Sequence, residues 1–181
     1  MNRAQFFDSA GQGLDALIAR TEKFRNLPAN LMNHKTTAHD WTLGQMFDHL
    51  VKSDIVIGER FYKALESTPK AEEDDIRHTF VGRMIINAMT KPNVPVPKGF
   101  EPGSETFDSS GVQRYLDNLL LHRSRLDDTM RYELAKLKLK SPVTNLLSYN
   151  GYDLLALCVA HGARHLAQAE AVRRLLEPVP A

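Results

Sequence analysis

The chain contains 181 residues, of which 43% are apolar and 25% are charged, and its formal net charge is +1. This length suits one domain with a sizeable core, and the near-zero charge argues against a nucleic-acid or membrane-surface partner. The single cysteine, Cys158, excludes an internal disulfide framework and favours a reducing compartment.

The N-terminal segment MNRAQFFDSAGQG lacks the apolar run of a signal peptide. No stretch reaches the roughly 18 apolar residues of a membrane-spanning helix. We therefore expect a cytoplasmic protein with a single domain over residues 1–181.

The first predicted helix follows from apolar residues at helical spacing between Arg3 and Phe24, and it ends before Pro28. A polar connection follows, and we expect its two histidines, His34 and His39, to be solvated.

The second predicted helix begins with a capping box, in which Thr42 and Gln45 each satisfy a free backbone N–H group. Trp41 and Met46 occupy the hydrophobic-staple positions around this cap. Apolar residues then recur at helical spacing, which predicts a helix over residues 43–65.

The middle of the chain is less regular. We expect the acidic segment AEEDD and the nearby His78 to be solvated, and residues 80–89 to form a short helix. Residues 91–108, KPNVPVPKGFEPGSETFD, contain four prolines and form a long predicted loop. Such loops are often functional, so a lid over a site and a surface arm or dimer contact both remain open.

The third predicted helix is capped by Ser109 or Ser110 and carries an apolar stripe from Val112 to Leu137. The lysine run KLKLK at its end suits the negative C-terminal end of a helix.

The fourth predicted helix runs from near Tyr152 to about Leu176, with an inward stripe of Leu154, Leu157, Cys158, His161, His165, Gln168 and Val172. No strand is evident. The pattern predicts an all-α four-helix bundle, with a short extra helix and the proline-rich loop between the second and third long helices.

His161 and His165 lie four residues apart near the centre of that stripe. A buried imidazole needs partners for its nitrogens, or it costs about 1–3 kcal/mol. One divalent ion can satisfy both rings, since imidazoles at i and i+4 share a helical face. A pair of hydrogen-bonded histidines is the alternative.

A third ligand would come from another helix. His49 is the preferred candidate, because it lies beside Met46 and Ser53 on the edge of the inward stripe of the second helix. A half-exposed surface histidine is the alternative interpretation of His49. His122, on a similar edge of the third helix, is the reserve ligand.

Two segments resemble the DinB-like superfamily. WTLGQMFDHL resembles the second helix of that superfamily, and HGARHLAQ resembles its last-helix motif of two histidines followed by a glutamine. The PKGF-type loop fits as well, and the resemblance covers nearly the whole chain. It implies a four-helix bundle, commonly dimeric, in which His49, His161 and His165 hold a divalent metal, for which we expect nickel, zinc or iron.

Three imidazoles leave an open coordination position, which is typical of catalytic zinc sites. The resemblance implies a metal-dependent hydrolase, or a transferase that uses a low-molecular-weight thiol such as mycothiol, bacillithiol or glutathione. Either would act on a small-molecule substrate. A non-catalytic, metal-binding bundle is the alternative. The HExxH base of zincins is missing, because Gly162 follows His161.

Further residues near the stripes leave alternatives open. Cys158 is a ligand or nucleophile, or it is simple core. Gln168 supports the metal site or satisfies a backbone group. Arg123, predicted on an inward stripe, binds an anion or extends to the surface. Gly162 within a helix predicts the close approach of a backbone or ligand. No catalytic residue is assigned.

Overall fold

The computed structural model describes residues 1–37, 39–72, 76–91, 94–141 and 147–176. The described residues form the helices and strands α1 (Arg3–Glu22), α2 (Ala29–Asn33), α3 (Leu43–Leu65), α4 (Phe80–Ala88), α5 (Ser110–Thr129), β1 (Leu139–Lys140), β2 (Ser148–Tyr149) and α6 (Gly151–Leu176). The predicted all-α class is confirmed, since the strands in these ranges have two residues each.

The four long helices α1, α3, α5 and α6 form the bundle. Helix α1 packs against α5 and α6, and α3 packs against the same two, so α1 and α3 lie on one diagonal. Their buried side chains make one apolar core that includes Leu14, Phe47, Tyr115 and Leu166. None of the helices in the described ranges is long and apolar enough to cross a membrane.

Capping boxes start the first and second long helices. In α3 the Gln45 backbone N–H donates to Thr42 Oγ1 at 3.2 Å, and the Thr42 N–H donates to Gln45 Oε1 at 3.1 Å. Asn2 and Gln5 form the same arrangement at the start of α1. Each capping box joins residues only three positions apart, so it can be recognised in the sequence. The predicted bounds of α3 are confirmed.

Helix α5 differs from its prediction at its C-terminal end, where it stops at Thr129 rather than at Leu137. The guanidinium group of Arg3, in α1, donates to the backbone carbonyls of Met130 and Tyr132. These carbonyls are therefore satisfied from outside the helix, and the chain leaves the helical path.

The lysine run predicted at a helix end consequently lies elsewhere. Leu139 and Lys140 form β1, which pairs antiparallel with β2, so the expectation that no strand is present was wrong. Ser109 is the N-cap residue of α5, as predicted, but its side chain does not make the cap bond. Asp108 Oδ1 accepts the Ser110 backbone N–H at 2.8 Å.

Helix α4 is held over the start of α6 by one buried carboxylate. Asp153 accepts hydrogen bonds from Thr79 Oγ1 at 2.7 Å and from His78 Nδ1 at 2.9 Å. Thr79 also caps α4 by accepting the Gly82 N–H at 2.8 Å. His78 is therefore part of a hydrogen-bond network, rather than simply solvated as we predicted.

The proline-rich loop folds back onto α3 of its own chain. The Gly103 N–H donates to Asp48 Oδ2 at 2.8 Å, and Gln45 Nε2 donates to the Gly103 carbonyl at 3.2 Å. Asn33 and Phe107 exchange two further bonds across the loop. Residues 94–100 are thereby held at the end of the bundle where His49 lies.

Candidate metal centre

Three histidines from two helices meet between α3 and α6. His49 lies on α3, and His161 and His165 lie one turn apart on α6. One ligand atom from each ring lies within 4.8 Å of the other two. The structure therefore brings together the three residues that the sequence singled out, and we name them the histidine triad.

The backbone of the proline-rich loop orients His49. Its Nδ1–H donates to the Phe100 carbonyl at 2.6 Å, which leaves a lone pair on Nε2. That nitrogen lies 3.1 Å from His161 Nε2. Two imidazole nitrogens that bind one ion at about 2.0–2.1 Å each stand about 3 Å apart. The spacing between the two nitrogens fits a shared ion.

His165 is buried beneath an indole. The Trp41 ring stacks on it with a centroid separation of 6.0 Å and an interplanar angle of 19°. Among the described residues, His165 Nδ1 and Gln168 Oε1 are buried without a well-directed hydrogen bond. Burial lowers the pKa of His165, and the nearby Gln168 opposes that shift. The triad therefore contains one polar atom, His165 Nδ1, that the protein itself leaves without a well-directed partner.

Burial keeps the triad neutral. Burial, helped by the charge of the neighbouring histidines, lowers the pKa of His161 to about 3 and that of His165 to about 2. The pKa of His49 is also lowered by burial, against the opposing effect of the Phe100 carbonyl. The neutral imidazole is the form that binds a metal.

Two details of the triad differ from the sequence prediction. His49 is only 3% exposed, so the half-exposed interpretation was wrong. The centre of the core-facing side of α6 is formed by Gly162, Leu166 and Ala169, all of them buried. His161 and His165 flank that centre, because packing against α1 and α3 sets the rotation of α6.

Gly162 makes room for side chains from two other helices. A Cβ atom there would lie 2.5 Å from Tyr115 Oη and 2.8 Å from Leu17 Cδ1. The predicted close approach is present, but side chains of α5 and α1 make it, rather than a backbone or ligand.

A cavity of about 310 Å³ opens beside the triad, with His49 and His161 in its wall. Helices α3, α4 and α6, the loop 94–100 and β2 enclose it. Its other walls are mainly apolar and include Met84, Met89, Pro97, Phe100, Tyr149 and Leu157. Within the described part of the chain, no charged side chain lines this cavity.

The remaining candidates lie outside the triad. Arg123 pairs with Asp15 at 2.8 Å on the surface, which agrees with the interpretation that this side chain extends to the surface rather than binding an anion. His122 contacts Tyr62 and Asp54 instead of the triad. Cys158 Sγ lies 3.7 Å from Asp54 Oδ1.

The two histidines of the first connection differ from each other. His34 is exposed, as predicted. His39 Nδ1 accepts the Trp41 N–H at 3.0 Å, so His39 is not simply solvated. This bond holds the backbone of Trp41, whose ring covers His165.

Sequence reasoning missed two contributors to the centre. The Phe100 carbonyl lies in the PKGF segment, and Trp41 precedes the α3 cap. Both segments carried the family resemblance, so they offered a signal. Neither a backbone carbonyl nor a stacking ring is recognisable as part of a metal centre from residue type alone.

The fold and the centre together define a helical bundle in which three histidines meet beside an apolar cavity. The family model of the DinB superfamily matches residues 14–169. This range contains the whole triad, and the chain belongs to the DinB superfamily. Comparison with curated proteins and with solved structures gives no match.

Proposed function

We propose that the histidine triad binds one divalent metal ion and that the protein is a metal-dependent enzyme acting on a small, largely apolar molecule. The observation that carries this proposal is the 3.1 Å separation of His49 Nε2 and His161 Nε2 at the wall of the cavity. Without an ion, two neutral rings at this distance share one proton in a hydrogen bond, and a divalent cation bound by both nitrogens replaces that bond.

Two of the three triad rings are held by neighbouring residues. The Phe100 carbonyl fixes the tautomer and rotation of His49, as the partners of metal-binding histidines commonly do. Trp41 covers His165. Nickel, zinc and iron all accept imidazole ligands, so the donor set leaves the choice among them to measurement.

A bound divalent ion with an open position acts as a Lewis acid and lowers the pKa of a water or thiol that it holds. A hydrolase-like reaction and transfer from a low-molecular-weight thiol both use this chemistry. The protein supplies the orientation of the ligands through Phe100, and its apolar walls keep water away from the reacting groups.

The cavity favours a substrate with an apolar body. Its walls offer apolar side chains and no charged partner in the described ranges, so a negatively charged group of the substrate finds its partner only at the proposed metal ion. In the transferase version, the charged parts of the thiol that do not bind the ion therefore remain outside this cavity. In either version the loop 94–100 acts as a binding wall, and the homodimer stays a prediction.

Elemental analysis of untagged protein tests the metal site. We expect His49→Ala and His165→Ala each to lose one ion per chain relative to wild type. His34→Ala is the matched control, because His34 is exposed, and it should retain the wild-type content. Full metal content in His49→Ala would contradict the proposed ligand set.

A ligand panel tests the enzymatic part. Uncharged esters and low-molecular-weight thiols are screened for thermal stabilisation and turnover, with metal-loaded and chelated protein. Ala88→Leu fills the cavity, since Ala88 lines it, while Asn87→Leu places the same side chain on the exposed face. We expect only Ala88→Leu to lose binding. Metal retention without binding or turnover of any panel member would support the non-catalytic alternative.

A further inference from the structure

A second group of metal-ligating side chains lies inside the bundle, apart from the triad. Asp54 of α3, His122 of α5 and Cys158 of α6 each offer one ligand atom, and these atoms lie within 4.8 Å of one another. We name these three residues the Asp54 cluster. Three different helices build it, so its geometry belongs to the assembled bundle.

The distances within the Asp54 cluster suit a single ion. His122 Nε2 lies 3.1 Å from both carboxylate oxygens of Asp54, and Cys158 Sγ lies 3.7 Å from Oδ1. Nitrogen and oxygen ligands at about 2.0 Å and sulfur at about 2.3 Å from zinc stand about 3–4 Å apart.

A tyrosine orients the histidine of this cluster. Tyr62 Oη lies 2.8 Å from His122 Nδ1, and the two rings stack at 25°. This contact directs Nε2 towards Asp54. Histidines that bind metals usually place their other ring nitrogen against such a partner.

The cluster also adjoins free space. A cavity of about 30 Å³ is lined by Asp54, His122 and Cys158 together, and Tyr62 shares its wall. A cavity of about 10–15 Å³ is enough for one water molecule. The three residues therefore border a space large enough for a water molecule.

The geometry points to a second divalent-metal site formed by Asp54, His122 and Cys158, with zinc as the ion that best suits sulfur, nitrogen and oxygen ligands. Binding releases the thiol proton to solvent, and the ring then carries its hydrogen on Nδ1 and donates it to Tyr62. One carboxylate and one thiolate offset the two positive charges, so the buried site carries no net charge.

The competing interpretation is a closed hydrogen-bond network. Without an ion, Tyr62 can donate to His122, and both His122 and Cys158 can donate to Asp54. That network holds the three ligands in place before an ion arrives. The experiment must therefore detect the sulfur–metal bond itself.

Titration with Co²⁺ provides that readout, because Cys158 is the single cysteine of the chain and the triad contains no sulfur. We expect a thiolate-to-cobalt charge-transfer band in wild type and in the triad variant His161→Ala, and no band in Cys158→Ser. In parallel, Zn²⁺ content should fall from two ions per chain to one in either single variant.

Two outcomes would overturn the second site. One is a folded wild-type protein that shows no charge-transfer band through saturation with Co²⁺. The other is equal Zn²⁺ content in wild type and Cys158→Ser. If Cys158→Ser does not fold, the wild-type band alone decides. Failure of the triad proposal looks different, since His161→Ala would then lose no metal.

The Tyr62→Phe variant tests whether Tyr62 orients His122 without being a metal ligand itself. Removing the hydroxyl group should weaken Co²⁺ binding at the Asp54 cluster by about 10–100-fold, while the affinity of the triad stays unchanged. The charge-transfer band should still appear at higher Co²⁺ concentration. Unchanged affinity at the Asp54 cluster would contradict the role of Tyr62.

Discussion

The histidine triad and the Asp54 cluster share helices α3 and α6 and differ in how their polar atoms are satisfied. In the triad, His49 Nε2 faces His161 Nε2, and His165 Nδ1 is buried without a well-directed partner. In the Asp54 cluster, the ring and the thiol both contact the carboxylate. The triad leaves one buried nitrogen, His165 Nδ1, without such a partner, whereas the Asp54 cluster holds its ligands through mutual hydrogen bonds.

The largest expected loss of stability comes from breaking the Asp54 cluster. Asp54→Ala removes the shared acceptor of His122 and Cys158, and breaking a buried pair costs about 3–5 kcal/mol. His165→Leu in metal-free protein should cost less than about 1 kcal/mol, because it removes an unpaired polar atom at similar volume. Chemical denaturation in the presence of a chelator measures both changes. Equal losses would remove the contrast between the two centres.

Metal addition should raise the cost of His165→Leu. At a free Zn²⁺ concentration of 100 times Kd, one occupied site adds about 2.7 kcal/mol to the free energy of unfolding. We expect His165→Leu to lose the contribution of the triad and His34→Ala to keep it, as measured by thermal unfolding with and without Zn²⁺. An undiminished Zn²⁺ effect in His165→Leu would refute the contribution of the triad.

A smaller loss of stability is expected from a substitution in α6 next to His161. Gly162→Ala places a Cβ atom against Tyr115 Oη and Leu17, and overpacking a core costs about 1–3 kcal/mol. The strain falls next to His161, so Zn²⁺ affinity at the triad should fall as well. Gly111→Ala is the control, because its Cβ atom would lie 3.7 Å from Phe47, an ordinary contact. Equal stability of both variants would argue against this tight packing.

The smallest effect concerns the helix that carries both His49 and Asp54. Thr42→Ala removes the α3 cap and should cost about 1 kcal/mol, with looser packing near His49 and little change near Asp54. Ser109→Ala should stay within about 0.5 kcal/mol, since the Ser109 side chain makes no cap bond. Urea denaturation compares the two variants, and a larger loss for Ser109→Ala would contradict the observed caps.

Local patterns in the sequence determined much of this protein. The Thr42–Gln45 capping box and the apolar periodicity that follows it specify α3, because their interactions join residues three or four positions apart. The spacing of His161 and His165 put both rings on one side of α6 by the same logic. The family resemblance rested on these local segments and is confirmed.

The tertiary structure alone decided what surrounds those residues. His49 contacts the Phe100 carbonyl, 51 residues away. Arg3 of α1 donates to the Met130 carbonyl just after the last residue of α5, and Asp54 contacts His122 across the bundle. A sequence pattern reports neighbours along one helix. Which side chain or carbonyl arrives from another element depends on the rotation and packing of all the helices, and that is why the Asp54 cluster is visible only in the folded chain.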